Sequence, residues 1–127
     1  MIDDALFSAV EAAVRDTVAA EILPRWRRLA QHDIAEKTGP GDLVTVADKE
    51  AERRLTEVLT ALLPGSVVVG EEAVHADPGV LGRIGGAEPV WIVDPVDGTA
   101  NFVAGKEEFA TLVALADGPE LIASKSN

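Results

Sequence analysis

The sequence predicts an α+β layered fold, and three observations carry that prediction. Apolar residues recur at helical spacing in two segments of the first half, residues 3 to about 30 and 45 to 62. Short apolar runs bounded by Gly, Pro and Asp follow, at VVVGEE, VWIVDPV, FATLVALAD and ELIAS. Helices come first and strands after, the order expected of a layered α+β chain. At 127 residues and 47% hydrophobic content, the chain suffices for a single domain, 1–127, with a real core.

The first helix carries Leu6, Val10, Ala13, Val14, Val18 and Ile22 on one stripe. Pro24 kinks or ends it, because proline lacks an N–H and clashes with the preceding turn. Trp26 and Leu29 extend the stripe beyond that point. QHDIAEKTGPGD reads as a loop or loose hairpin. The second helix opens at Thr45, with Asp48 three residues on in the manner of a capping box. Ala51, Leu55, Val58, Leu59 and Leu62 form its buried face, and Pro64-Gly65 stops it. VVVGEE is a strand ending in acids, followed by a polar loop through Gly86. VWIVDPV and FATLVALAD are the next strands, and ELIAS follows the Asp117-Gly118 turn. No element after SKSN covers the last strands, so Val113, Leu115, Leu121 and Ile122 are expected to be exposed and the chain to be the first part of a longer fold.

Charge and composition narrow the function. Eleven basic against 22 acidic residues give a net charge of −11, which argues against a nucleic-acid partner. The same balance suits cation binding or a merely solubilising acidic surface. With no cysteine, a disulfide framework, a thiolate zinc site and a cysteine nucleophile are excluded. The N-terminal segment carries acids where a secretory signal carries lysine or arginine, and no apolar run approaches the ~20 residues of a membrane helix. These features read as a soluble, cytoplasmic protein without membrane contact.

The chemistry concentrates in WIVDPVDGTANF, residues 91–102, where an apolar triplet runs into Asp94 and Asp97. Buried carboxylates are costly unless paired, and the nearest cations in sequence, Arg83 and Lys106, are poorly placed to bridge both. Glu71 and Glu72 form a second acidic pair at a strand end, after Gly70. If neighbouring strands are in register, Glu71 and Asp94 converge at one sheet edge. Converging carboxylates repel and their pKa values rise. A hard divalent cation resolves this, with Mg²⁺ the usual choice beside phosphate. A helix opening at Thr99 aims its unpaired N–H groups at whatever the aspartates hold, a combination suited to a phosphate ester. Blander readings stand beside these: Asp-Gly is a common turn, Asp48 serves as a plain helix cap, and Glu72 and Lys37 are solvated side chains.

The strings DLVTVADKEAE, VVVGEE and WIVDPVDGTANF, in that order, resemble the inositol monophosphatase family of Mg²⁺-dependent phosphatases. The resemblance runs from about Glu36 to Asp117 and rests on the specific DPxDGTxNF pattern. It implies the N-terminal part of a layered α/β sandwich, two long helices packed on an antiparallel sheet. Glu71 then matches a metal-binding glutamate with a part in catalysis. Asp94 matches an aspartate shared by two metals, Val96 a ligating backbone carbonyl, and Asp97 a ligand of the second metal. Gly98 and Thr99 match the backbone N–H groups that receive the phosphate. Asp48 and the Thr99 hydroxyl match the pair that orients the nucleophilic water, Lys37 a basic residue on a loop near the metals, and Glu72 an outer residue.

The implied activity is hydrolysis of a small phosphate monoester by metal-activated water, with Mg²⁺, or Mn²⁺ in its place, as cofactor and a homodimer as the assembly. Inositol 1-phosphate, histidinol phosphate, fructose 1,6-bisphosphate and a 3′-phosphoadenosine nucleotide are all candidate substrates. The family pattern also includes a downstream Trp-Asp motif, whereas the only acids after Phe109 here are Asp117 and Glu120. An alternative is therefore a catalytically inactive metal-binding fragment or interaction module. A third is an acidic helix–sheet module with no ligand.

Overall fold

The computed structural model describes residues 3–36, 43–83, 88–117 and 120–126. Helix α1 spans Asp4–Thr17, with the Asp3 side chain accepting the Leu6 N–H at 2.8 Å as its N-cap. It does not continue regularly to residue 30. The chain widens into a π turn at Val18–Ile22 and closes in a 3₁₀ turn at Leu23–Arg25. Pro24 accounts for this: it cannot donate to the carbonyl of Ala20, and its ring crowds that turn. Trp26 and Leu29 nevertheless pack on the core as expected.

Strands β1 (Ile34–Glu36) and β2 (Leu43–Thr45) pair antiparallel, so the expected loose hairpin is present. Its tip, with Lys37, lies outside the described residues. Helix α2 spans Val46–Leu62 and opens with the predicted capping box. Thr45 accepts from Ala47 N–H at 3.1 Å, while Asp48 Oδ2 accepts the Thr45 N–H at 2.8 Å. Ala51, Leu55 and Leu59 are buried on its inner face. Each leucine there stabilises the fold by about 1.5–3 kcal/mol. Val58 and Leu62 are only half-buried.

Strand β3 (Val67–Gly70) leads directly into a short helix, α3 (Glu71–Ala76), and a 3₁₀ turn at Pro78–Arg83, where the sequence suggested a polar loop. Strand β4 (Val90–Asp97), helix α4 (Thr99–Val103), strand β5 (Ala110–Asp117) and strand β6 (Glu120–Ser126) follow. The four strands form one sheet in the order β3-β4-β5-β6. It is a mixed sheet rather than a wholly antiparallel one. Strands β4, β5 and β6 pair antiparallel, but β3 and β4 run parallel with Gly70 beside Val93. The excursion through α3 and the 3₁₀ turn supplies the crossover that a parallel pair requires.

Helix α2 lies against both α1 and β4. Their meeting faces enclose Val10, Val14, Ile22, Leu55, Leu59, Trp91 and Phe102. The indole N–H of Trp91 is satisfied inside by Ser66 Oγ at 2.9 Å. Val113 and Leu115 are buried, contrary to the exposure expected of them. Both belong to the same core cluster, because β5 is an interior strand between β4 and β6. The side chains of Leu121 and Ile122 lie outside the described residues.

Candidate functional site

Parallel pairing determines where the acids fall. Gly70, the last residue of β3, is the register partner of Val93 within β4, so the next residues, Glu71 and Asp94, come side by side where β3 ends. Asp94 and Asp97 are three apart, and on a regular strand they would face opposite sides. The ladder shifts between them: Asp94 pairs with Leu112 but Asp97 with Ala110, three steps on β4 against two on β5. This extra residue is a β-bulge, and it returns Asp97 to the side of Asp94. Pro95 fits inside it because no ladder N–H is needed there. The freed Pro95 carbonyl accepts the buried Thr111 hydroxyl at 2.7 Å.

Gly98 then turns the chain into α4 with φ 89°, a left-handed conformation. A Cβ at this position would lie 2.8 Å from the Glu108 carbonyl oxygen, so glycine is required sterically as well. Asn101 Nδ2 donates to that same carbonyl at 2.8 Å and ties α4 to the segment behind it. Phe102 is buried, with its ring edge-on to Phe109 at 5.0 Å.

Asp48 reaches the site from α2. It is 1% exposed, and its carboxylate accepts from Thr45 N–H at 2.8 Å, Thr45 Oγ1 at 2.7 Å and Thr99 Oγ1 at 3.0 Å. The Thr99 hydroxyl has a second acceptor, the Val96 carbonyl, also at 3.0 Å. Burial pushes the Asp48 carboxyl above its ordinary value despite the opposing Thr45 and Thr99 hydrogen bonds, and the charge of Glu71 adds to the rise. Asp48 is thus a helix cap that also reaches Thr99.

Asp94 is strongly perturbed. Burial first, then its hydrogen bond to Glu71 and the charges of Glu71, Asp97 and Asp48, push it up to about 8. Among the described residues no ion pair reaches Asp94 or Asp97; Lys106 meets Trp26 through its backbone carbonyl, 3.1 Å from the indole nitrogen. Asp94 Oδ1 is enclosed by the chain and has no hydrogen-bond partner among the described residues. An orphaned buried oxygen costs about 1–3 kcal/mol unless a ligand fills the place.

Glu71, Asp94, Val96, Asp97 and Thr99 line one open cleft of about 260 Å³. A larger cleft of about 610 Å³ adjoins it, sharing Asp97 and Gly98 and bounded by Asn101, Glu107 and Phe109. The donor set is all oxygen, which suits a hard divalent cation. Among the described residues no three acidic or histidine side chains are gathered tightly enough to hold a metal ion as they stand. Sequence reasoning missed Thr111 and Glu52. Glu52 had one available signal, its i, i+4 spacing from Asp48 in DKEAE.

Such a cleft, acid-lined and abutting a helix start on an α+β scaffold, offers oxygen donors that a hard cation could use. A family model described as the inositol monophosphatase family matches residues 3–124, and the chain belongs to that family. It is 35% identical over 109 residues to the chloroplastic bifunctional phosphatase IMPL2 of Arabidopsis thaliana, covering 86% of this chain and 29% of that protein. It is 34% identical over 114 residues to the inositol-1-monophosphatase of Bacillus subtilis, covering 79% of this chain and 40% of that one. The chain thus spans less than half the length of these curated relatives. Among solved structures it resembles a Thermotoga maritima IMPase, with TM-score 0.73 and 28% identity over 94% of this chain and 42% of the other. An IMPase/NADP phosphatase complexed with Mg²⁺ and phosphate shares the fold, with TM-score 0.72 and 22% identity over 96% and 44% of the two chains.

Proposed function

We propose that the chain serves Mg²⁺-dependent hydrolysis of a small phosphate monoester, inositol 1-phosphate or a related metabolite. The observation that carries this reading is the enclosed Asp94 Oδ1, without a hydrogen-bond partner among the described residues, beside the point where β3 ends in Glu71. Family membership and the Mg²⁺ and phosphate bound by a protein of the same fold support it. Glu71, Asp94, Asp97 and the Val96 carbonyl would hold the cation, with Mn²⁺ as the alternative metal. When bound, the metal supplies Lewis-acid polarisation of the phosphoryl oxygen and lowers the pKa of a water.

The chain's own groups do the rest. Backbone N–H groups at Gly98 and Thr99 open α4 without intrahelical partners and can receive phosphoryl oxygens. Asp48 holds the Thr99 proton, which leaves a lone pair of Thr99 Oγ1 free to accept from a water. Lys37 is proposed as a basic residue beside this site, and the adjoining cleft as room for the body of the substrate. The active form is proposed to be a cytoplasmic homodimer, which light scattering on the purified chain tests.

Phosphate release from inositol 1-phosphate, histidinol phosphate, fructose 1,6-bisphosphate and a 3′-phosphoadenosine nucleotide, with and without Mg²⁺, is the direct experiment. Metal-dependent release that disappears in Asp94→Asn is the expected result. A second reading is metal binding without turnover. It takes over if Mn²⁺ binds while no substrate is turned over. If neither binding nor release occurs, the site reading is wrong.

A further inference from the structure

Glu52 stands four residues after Asp48 in α2, on the same side of the helix. Its carboxylate is turned inward, accepting the N–H of Glu72 at 2.9 Å and of Ala73 at 3.1 Å, in the first turn of α3. The same carboxyl packs on Gly70. A Cβ there would lie 2.3 Å from Glu52 Cδ and 2.5 and 2.6 Å from its two oxygens. One side chain therefore grips the backbone on both sides of Glu71.

An ordinary helix start is capped by its own N-cap side chain. Helix α3 has Gly70 there, with no side chain to do it, and takes its cap from another helix. The choice of a carboxylate is electrostatically adverse in a region that already holds Glu71, Asp94 and Asp48. Two N–H donors offset that cost, since hydrogen bonds to a charged group are stronger than those between neutral groups. What the arrangement secures is register: α2 carries Asp48 to Thr99 with one side chain and fixes α3 with the next one on its face.

We propose that Glu52 is a positioning residue, clamping the backbone at 70–73 so that Glu71 presents its carboxylate to the same cation as Asp94. The inference rests on the metal-site reading above. It differs from a plain helix cap in one respect: a plain cap affects stability alone, whereas a clamp on Glu71 also sets metal affinity.

The test titrates the whole chain with Mn²⁺, comparing the unsubstituted protein with Glu52→Gln, Gly70→Ala and the double variant. Glu57→Gln, on the exposed face of α2, is the control. The glutamine keeps the volume of Glu52 but sets an amide N–H against one of the two donors. The alanine methyl displaces the carboxyl from its seat without altering a charge. Each single variant is expected to weaken Mn²⁺ binding about tenfold or more, the scale on which outer-shell partners act. Hydrogen exchange at the Glu72 and Ala73 amides should accelerate in both. The double variant should bind no worse than either single one, because both remove the same contact. Faster exchange with Mn²⁺ affinity within twofold of the unsubstituted chain overturns the clamp and leaves a plain cap. Absence of Mn²⁺ binding in the unsubstituted chain overturns the metal-site reading itself. Should Glu52→Gln not fold, Gly70→Ala alone decides between these outcomes.

Discussion

Thr99 donates its hydroxyl to Asp48 at 3.0 Å, tying the first residue of α4 to the first turn of α2 across 51 positions of sequence. The same aspartate closes the capping box with Thr45, so one buried side chain holds together the start of a helix and the floor of a cleft. Asp48→Asn replaces an oxygen acceptor by an amide donor against Thr45 or Thr99. A loss of about 1–3 kcal/mol is expected, and about 1 kcal/mol for Thr99→Val. Urea denaturation of the two variants measures both.

Asp94→Asn should act in opposite directions on binding and on stability. Asparagine needs no proton to sit buried beside Glu71, Asp97 and Asp48, whereas Asp94 must take one up on folding, so at neutral pH the metal-free variant should melt higher. Divalent binding should be lost, while Glu72→Gln leaves it nearly intact. Calorimetric Mg²⁺ titration with parallel melting curves reads both effects. Undiminished binding in Asp94→Asn would sink the ligand assignment.

The pH dependence follows with its sign. Asp94 is raised in the fold from 3.8 to about 8, so the folded chain binds the extra proton across that window. Stability from this group is therefore fully present below its unfolded value and is lost as pH rises through about 8. The melting temperature of the metal-free chain should fall between pH 5 and 8, and Asp94→Asn should flatten that fall. Mg²⁺ must displace the proton, so the rise in melting temperature it produces should grow over the same interval. A rise independent of pH would mean that Asp94 is not a ligand.

Gly98→Ala should destabilise the chain by about 1–2 kcal/mol from the left-handed backbone alone. The clash with the Glu108 carbonyl adds to this, because a backbone atom cannot swing aside as a side chain can. Chemical denaturation should also show Asn101→Ala to be milder, since it loses only one exposed hydrogen bond to that carbonyl.

Much of this was legible in the sequence where a rule is local. The Thr45–Asp48 box and the Asp-Gly turn into α4 are short-range devices with few alternatives. The parallel direction of β3 was not legible, since pairing direction depends on what lies between the strands, and α3 was mistaken for loop. The bulge at Pro95 was hidden for a related reason: a bulge is a property of two strands, and the Ala110 and Leu112 partners lie more than ten residues away. The early end of α1 was half visible, in Pro24 but not in the π turn before it. Glu52 escaped notice because its partners are backbone N–H groups, which carry no residue signature.

The parallel pairing of β3 with β4 has a kinetic consequence. Glu71 and Asp94 are brought side by side only after the crossover between Gly70 and Val90 has closed, and such non-local closures come late in folding. A cation that needs both acids therefore meets no binding site in the early ensemble. It cannot hasten folding and acts instead as a latch on the finished molecule, slowing its escape. In stopped-flow chevrons, Mg²⁺ should lower the unfolding limb and leave the refolding limb where it was.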